Sequence, residues 1–160
     1  MLQEKAYIYQ TIGSGLSSLW VQKNVPTANV QGANMLVSAL PEAMGLQFVK
    51  ENLDEKAAQL LIKKKTDKYA KEKNNEPNTE PTLLFADGTN YLEENKGAIA
   101  LNDVINIIGK EKFNAILLNF VNINPEKPKR FIDLCHALLE EVPETKKQRL
   151  RKVFKTVNQF

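Results

Sequence analysis

One cysteine, Cys135, and one histidine, His136, are all that 160 residues offer of the soft metal ligands. A single thiol excludes an internal disulfide. A structural zinc site needs four Cys, His or carboxylate ligands, and a catalytic one needs three plus a water. One Cys beside one His leaves nearly the whole set to carboxylates, so we expect no dedicated zinc site and no cofactor. Also missing is an apolar run approaching the roughly 18 residues of a membrane span. The opening stretch MLQEKAYIYQ carries Glu4 and Lys5 early and has no signal-peptide pattern. We expect nothing in these residues to address the chain to export or to a bilayer, and they leave its compartment open. A net charge of +3 is too small to argue for a nucleic-acid partner.

What is present is helical rhythm. At this length one domain spanning 1–160 can bury a core, whether it stands alone or belongs to a larger protein. Residues 6–21 place Tyr7, Ile8, Ile12, Leu16, Leu19 and Trp20 three and four apart. Pro26 interrupts the pattern, and 24–29 reads as a connection. A second apolar stretch, 33–52, contains Pro41. It either kinks near Leu40 or ends near Ser38, with a new helix carrying Pro41 in its first turn. Asp54 is the expected N-cap of a helix over 54–73. NNEPNTEPT (74–82) is a polar loop, and ADGT after it is a turn signal, with a short extended piece at LLF. Further helices are expected over 92–108, closed by Gly109, and over 110–121, 130–142 and 143–157. The expectation is an all-α fold, or nearly so, of six to seven helices.

Two segments, SGLSSLWVQKNVPTANVQGANMLV and SALPEAMGLQFVKE, together with NKGAIALNDVINIIGKEKFNAILLNFV and PKRFIDLCHALLEEVP, carry a resemblance. They are similar to zinc aminopeptidases of the membrane-alanyl type (gluzincins), in the bacterial branch that accompanies an ABC-type permease. That family puts H-E-x-x-H on a helix, with two histidines as ligands and the glutamate as general base. A glutamate from the next helix is the third ligand, and a tyrosine two residues before a Lys-Gly pair stabilises the oxyanion. Matched without gaps, Ser14 stands at the first histidine, Gly15 at the catalytic glutamate and Ser18 at the second histidine. Ser38 stands at the third ligand and Glu94 at the tyrosine; Trp20 keeps an aromatic. The family implies zinc, but each of its ligand positions is replaced, and serine is a poor neutral ligand for that metal. The resemblance thus implies the helical subdomain of a zincin-type catalytic domain that has become a pseudoenzyme. It also implies a protein partner, the remainder of a larger chain, or a permease.

Other residues invite chemistry and have plainer readings. Ser14, Ser18 and Ser38 either line a small pocket for a peptide terminus or let helices pack closely. Glu42 reads as a first-turn acid favoured by the helix dipole. Glu93 and Glu94 are adjacent and point apart on a helix. Cys135 fits the apolar rhythm of Phe131, Leu134 and Leu138, and His136 diverges from it by about 100°. Two basic runs remain: Lys63, Lys64, Lys65, Lys68, Lys71 and Lys73, and a final helix whose candidate interaction face is Lys147, Arg151 and Lys155. That helix also carries an apolar seam of Leu150, Val153, Phe154 and Val157. Three functions stay open: a non-catalytic interaction domain, a zinc metallopeptidase completed by other segments, and a module for an anionic membrane surface.

Overall fold

A computed structural model describes residues 1–76, 79–86, 88–89 and 91–155. Pro77 and Asn78 of the 74–82 loop, Asp87 of the ADGT turn and Val157 of the last apolar seam lie outside the described residues. The fold is all-helical, with no strand among the described residues. The α-helices are α1 (Leu2–Asn24), α2 (Leu40–Asn52), α3 (Glu55–Asn75), α4 (Ala98–Ile108), α5 (Lys110–Asn122), α6 (Phe131–Glu140) and α7 (Glu144–Lys155). A π turn at Met35–Ala39 runs into α2, and a second at Leu92–Gly97 runs into α4. LLF is not extended: Leu83–Phe85 forms a 3₁₀ turn, which lets Leu83 and Leu84 reach the core together.

The caps follow the sequence. Asp54 accepts from the Ala57 amide at 2.7 Å, satisfying a free donor of α3's first turn. Gly109, at φ +95°, turns the chain from α4 directly into α5. Pro41 takes the second place of α2 but lies inside a helical run that is continuous over 33–52, so the chain neither ends at Ser38 nor starts a new helix at Pro41. The wide turn before it lets the chain pass from Ser38 into α2 without a break.

α1 and α2 run antiparallel and touch backbone to backbone. Ala6, Gln10, Gly13 and Val21 form the buried face of α1. A Cβ on Gly13 would lie 2.7 Å from the Phe48 Cβ, and one on Gly45 would lie 3.0 Å from the Gln10 carbonyl and the Ser14 amide. Of the large apolar residues whose spacing marked this helix, Trp20 packs against the core and the aliphatic ones are on the other side. Ile8, Ile12, Leu16 and Leu19 are 56, 47, 59 and 64% exposed. The helical period is right, but small residues won the core face because only they allow so close a crossing.

The main core joins α4, α5, α6 and α7 to the two π turns around Leu36, Leu101, Phe113 and Phe131. Phe131 meets Phe154 edge to face at 5.3 Å, which fastens α7 to α6. Gly32, at φ +83°, brings the ANVQGA link against the Leu84 carbonyl, where a Cβ would stand 2.6 Å away. Its amide donates to Ala86 at 2.8 Å. Lys129, although charged, is buried: its backbone pairs with Pro26 and Ala28, and its ammonium donates to the carbonyls of Ile123 and Asn124.

Gly13 and Gly15 sit two residues apart in α1 and make opposite predictions. Gly13→Ala overpacks against Phe48 and lowers stability by about 1–3 kcal/mol. Gly15, whose added Cβ would meet nothing within 4 Å, gains helix propensity as alanine, up to about 1 kcal/mol. Thermal unfolding of both variants in dilute solution checks the pair.

Candidate functional site

A polar cleft of about 350 Å³ opens between α1, α2, α3 and the second π turn. α1 contributes Tyr7, Gln10, Thr11 and Ser14. Glu42 of α2, Leu61, Lys64, Lys65 and Lys68 of α3, and Glu94 and Asn95 of the π turn complete its walls. Two of the five positions matched to the peptidase pattern, Ser14 and Glu94, therefore share one cavity. The others do not join them. Gly15 faces solvent. Ser18 accepts from the Gln22 side chain at 3.3 Å. Ser38 lies half-buried in the first π turn; Ser14 is opposite Gly45, seven residues further on, roughly 10 Å along the axis.

The donor chemistry of this set does not fit zinc. The Ser14 hydroxyl donates to the Gln10 carbonyl of its own helix at 2.9 Å, Gly15 has no side chain, and Ser18 and Ser38 offer neutral hydroxyls. Among the described residues no three His, Cys, Asp or Glu side chains gather as a metal would require.

At the floor of the cleft is an ion pair. One Glu42 carboxylate oxygen accepts from Lys65 and from the Gln10 amide, each at 2.7 Å. The Lys65 ammonium also donates to the Glu94 carbonyl at 2.8 Å, a carbonyl of the π turn. Lys65 thus ties α3 to α2 and to the π turn at once. Above it, Lys64 lies 5.0 Å from the centroid of the Tyr7 ring. The basic run of α3 contributes one largely covered strut, Lys65, between the exposed Lys63, Lys64 and Lys68. The signal was present: Lys65 is four residues from Leu61 and four from Tyr69, on the buried face of α3. Gln10, by contrast, is a polar residue on a core face and had no sequence signal.

Behind the cleft, Lys96 of the NKG segment is buried at 1% exposure and paired with Glu80, which is nearly as buried. Glu80 also accepts from the Tyr69 hydroxyl at 2.6 Å, with Lys73 3.7 Å away. The Lys96 ammonium lies 5.4 Å from the Tyr69 ring centroid. Burial pushes Tyr69 up, reinforced by its bond to Glu80. Burial also works to raise Glu80, but the bonds from Lys96 and Tyr69 outweigh it and hold the carboxyl below its ordinary value. Glu93, in the first turn of the second π segment, is likewise buried and accepts from the Gly88 amide at 2.8 Å.

The remaining candidates are inert or ordinary. Cys135 is buried, and burial pushes its thiol up, away from a reactive thiolate. His136 is exposed. On α7, Lys147 and Arg151 both approach Glu144, at 3.3 and 3.6 Å, so the basic face carries its own counter-charge, while Lys155 is exposed.

The depressed Glu80 carboxyl contributes stability that is complete above the unfolded glutamate value of about 4.3 and is lost as pH falls below it. Melting temperature measured from about pH 6 to pH 3 should drop, and Glu80→Gln should flatten that drop. Lys96→Met strands a buried carboxylate and costs about 3–5 kcal/mol; adding Glu80→Gln to it recovers a large part.

No protein-family model, curated protein or solved structure matches the chain.

Proposed function

We propose that this chain is a non-catalytic, aminopeptidase-like helical domain whose role is to dock onto protein. The observation that carries the reading is the open face of α1. Ile8, Ile12, Leu16 and Leu19 form a continuous apolar stripe on the side turned away from α2. Fully burying such a side chain is worth about 1.5–3 kcal/mol, and each is still about half exposed. A surface helix normally has one apolar stripe and one polar face; α1 has an apolar stripe outside and a packed small-residue face inside. Contiguous exposed apolar surface of this kind marks interaction sites.

The chemistry of the matched peptidase positions supports the non-catalytic half of the proposal. The general-base position is Gly15, and the position that would polarise an oxyanion is Glu94, a group of the wrong charge for that task. The resemblance to permease-associated peptidases supplies a setting in which such a domain sits beside other polypeptide, as a partner or within a larger chain. The basic face of α7 supports membrane docking less well, because Glu144 neutralises part of it.

Purified protein equilibrated with zinc and dialysed should retain far less than one zinc per chain by plasma mass spectrometry. It should also leave aminoacyl p-nitroanilides unhydrolysed. Stoichiometric zinc with turnover that a chelator abolishes would sink the proposal in favour of a working metallopeptidase.

A further inference from the structure

We infer that the open face of α1 pairs with α1 of a second copy of this chain, antiparallel, about a two-fold axis between Ile12 and Gly15. This rests on the reading of α1 as a docking face and names its occupant.

The first argument is register. Ile8, Ile12, Gly15 and Leu19 are spaced four, three and four, the rhythm of a two-helix seam. The spacing is the same read backwards. An antiparallel partner therefore sets Ile8 against Leu19 of the second copy and Ile12 against its Gly15. Gly15 is the hole in this arrangement: it is exposed, and a Cβ built on it meets nothing within 4 Å. A large side chain faces a missing one, twice, as a self-complementary interface requires.

Charge chooses the direction. Between Lys5 and Lys23 α1 carries no charged residue. In a parallel pair Glu4, Lys5 and Lys23 would each meet their own copies, like charge against like. In the antiparallel pair Glu4 comes level with Lys23 of the second copy, so the one carboxylate at each end is set among three ammoniums: Met1, which lies 3.7 Å from it, Lys5 and the second copy's Lys23. The helix dipoles also run opposed, N-terminus beside C-terminus.

Extent sets the strength. Levels 4 to 23 span about 30 Å of helix, with four half-exposed aliphatic side chains per copy. That places the interface near the lower bound of about 1,000 Å² for a specific contact, so the dimer is weak and reversible, with micromolar dissociation.

Sedimentation velocity of the full chain from low to high micromolar concentration tests the pairing. Mass should climb from 18.1 kDa towards twice that value. Leu19→Glu should hold the chain monomeric throughout, with an unchanged melting temperature because Leu19 is outside the core. Gly15→Leu is the sharper variant: it fills the hole facing Ile12 and should weaken association at least about tenfold, or about 1.4 kcal/mol. For unspecific apolar stickiness the added leucine would tighten it. Mixed Glu4→Cys and Lys23→Cys chains should cross-link to each other with a short bis-maleimide, each alone far less; the wild type, whose Cys135 is buried, should not cross-link.

A monomer at every concentration, a dimer indifferent to Leu19→Glu, tightening by Gly15→Leu, or self-cross-linked Glu4→Cys as the main product would each overturn the pairing. None of these outcomes bears on zinc or turnover, so the non-catalytic reading stands or falls separately.

Discussion

The backbones of α1 and α2 meet at Ser14 and Gly45, with no room for a methyl group between the Gly45 Cα and the Gln10 carbonyl. Much of the molecule is arranged around this contact. It demands small side chains on one face of α1, and Ala6, Gly13, Ser14 and Ser17 supply them. It draws Gln10 close enough to bond Glu42, and through Glu42 it positions Lys65. Lys65 then reaches the Glu94 carbonyl and pins the second π turn. Helix rotation is the hidden variable: committing the small face inward leaves the large aliphatic residues of α1 outside.

The two π turns belong to the same scheme. Gly97, at the end of the second, lies against Met35 and Ala39 of the first, where a Cβ would stand 2.8 Å from the Met35 sulfur and 3.0 Å from the Ala39 Cβ. A π turn has a wider backbone ring than an α turn and leaves a carbonyl without its usual partner. Lys65 donates to the Glu94 carbonyl of the second turn. Next to it Lys96 points into the interior, and the charge is tolerable only because Glu80, Tyr69 and its aromatic face surround it. The NKG segment, which looked like a remnant of catalysis, is here a structural anchor between α3, α4 and the loop bearing Glu80.

Much of the fold was legible because its signals are local. Asp54 and Gly109 begin or end helices for reasons internal to one turn, and the structure uses each accordingly. Less legible was which face of α1 goes inward. Hydropathy favours Ile8, Ile12 and Leu19, but steric closeness to α2 favours glycine and serine, and no single-helix rule weighs one against the other. The LLF segment failed similarly: three apolar residues fit a strand or a tight turn, and only the neighbouring helices decide. Of the matched site positions, Ser14 and Glu94 meet in a cleft, while Ser38 lies away from Ser14 because the antiparallel register of α1 and α2 is set by Gly45. That register depends on two helices at once.

The same contact bears on what Ser14 and Gly15 do in this chain. Adjacent residues on a helix face about 100° apart, and these two divide the labour of α1. Ser14 turns inward, spends its hydroxyl on its own helix and lets α2 approach. Gly15 turns outward, where a side chain would find open space, among the exposed aliphatic residues. Glycine in a helix interior costs about 1 kcal/mol against alanine. At Gly13 close packing offsets that cost. At Gly15 nothing inside the chain does, because no neighbour approaches its Cα. A bare position in the middle of an apolar stripe has physical value only if something outside comes close to the backbone there, and a second α1 in antiparallel register brings Ile12 to that place.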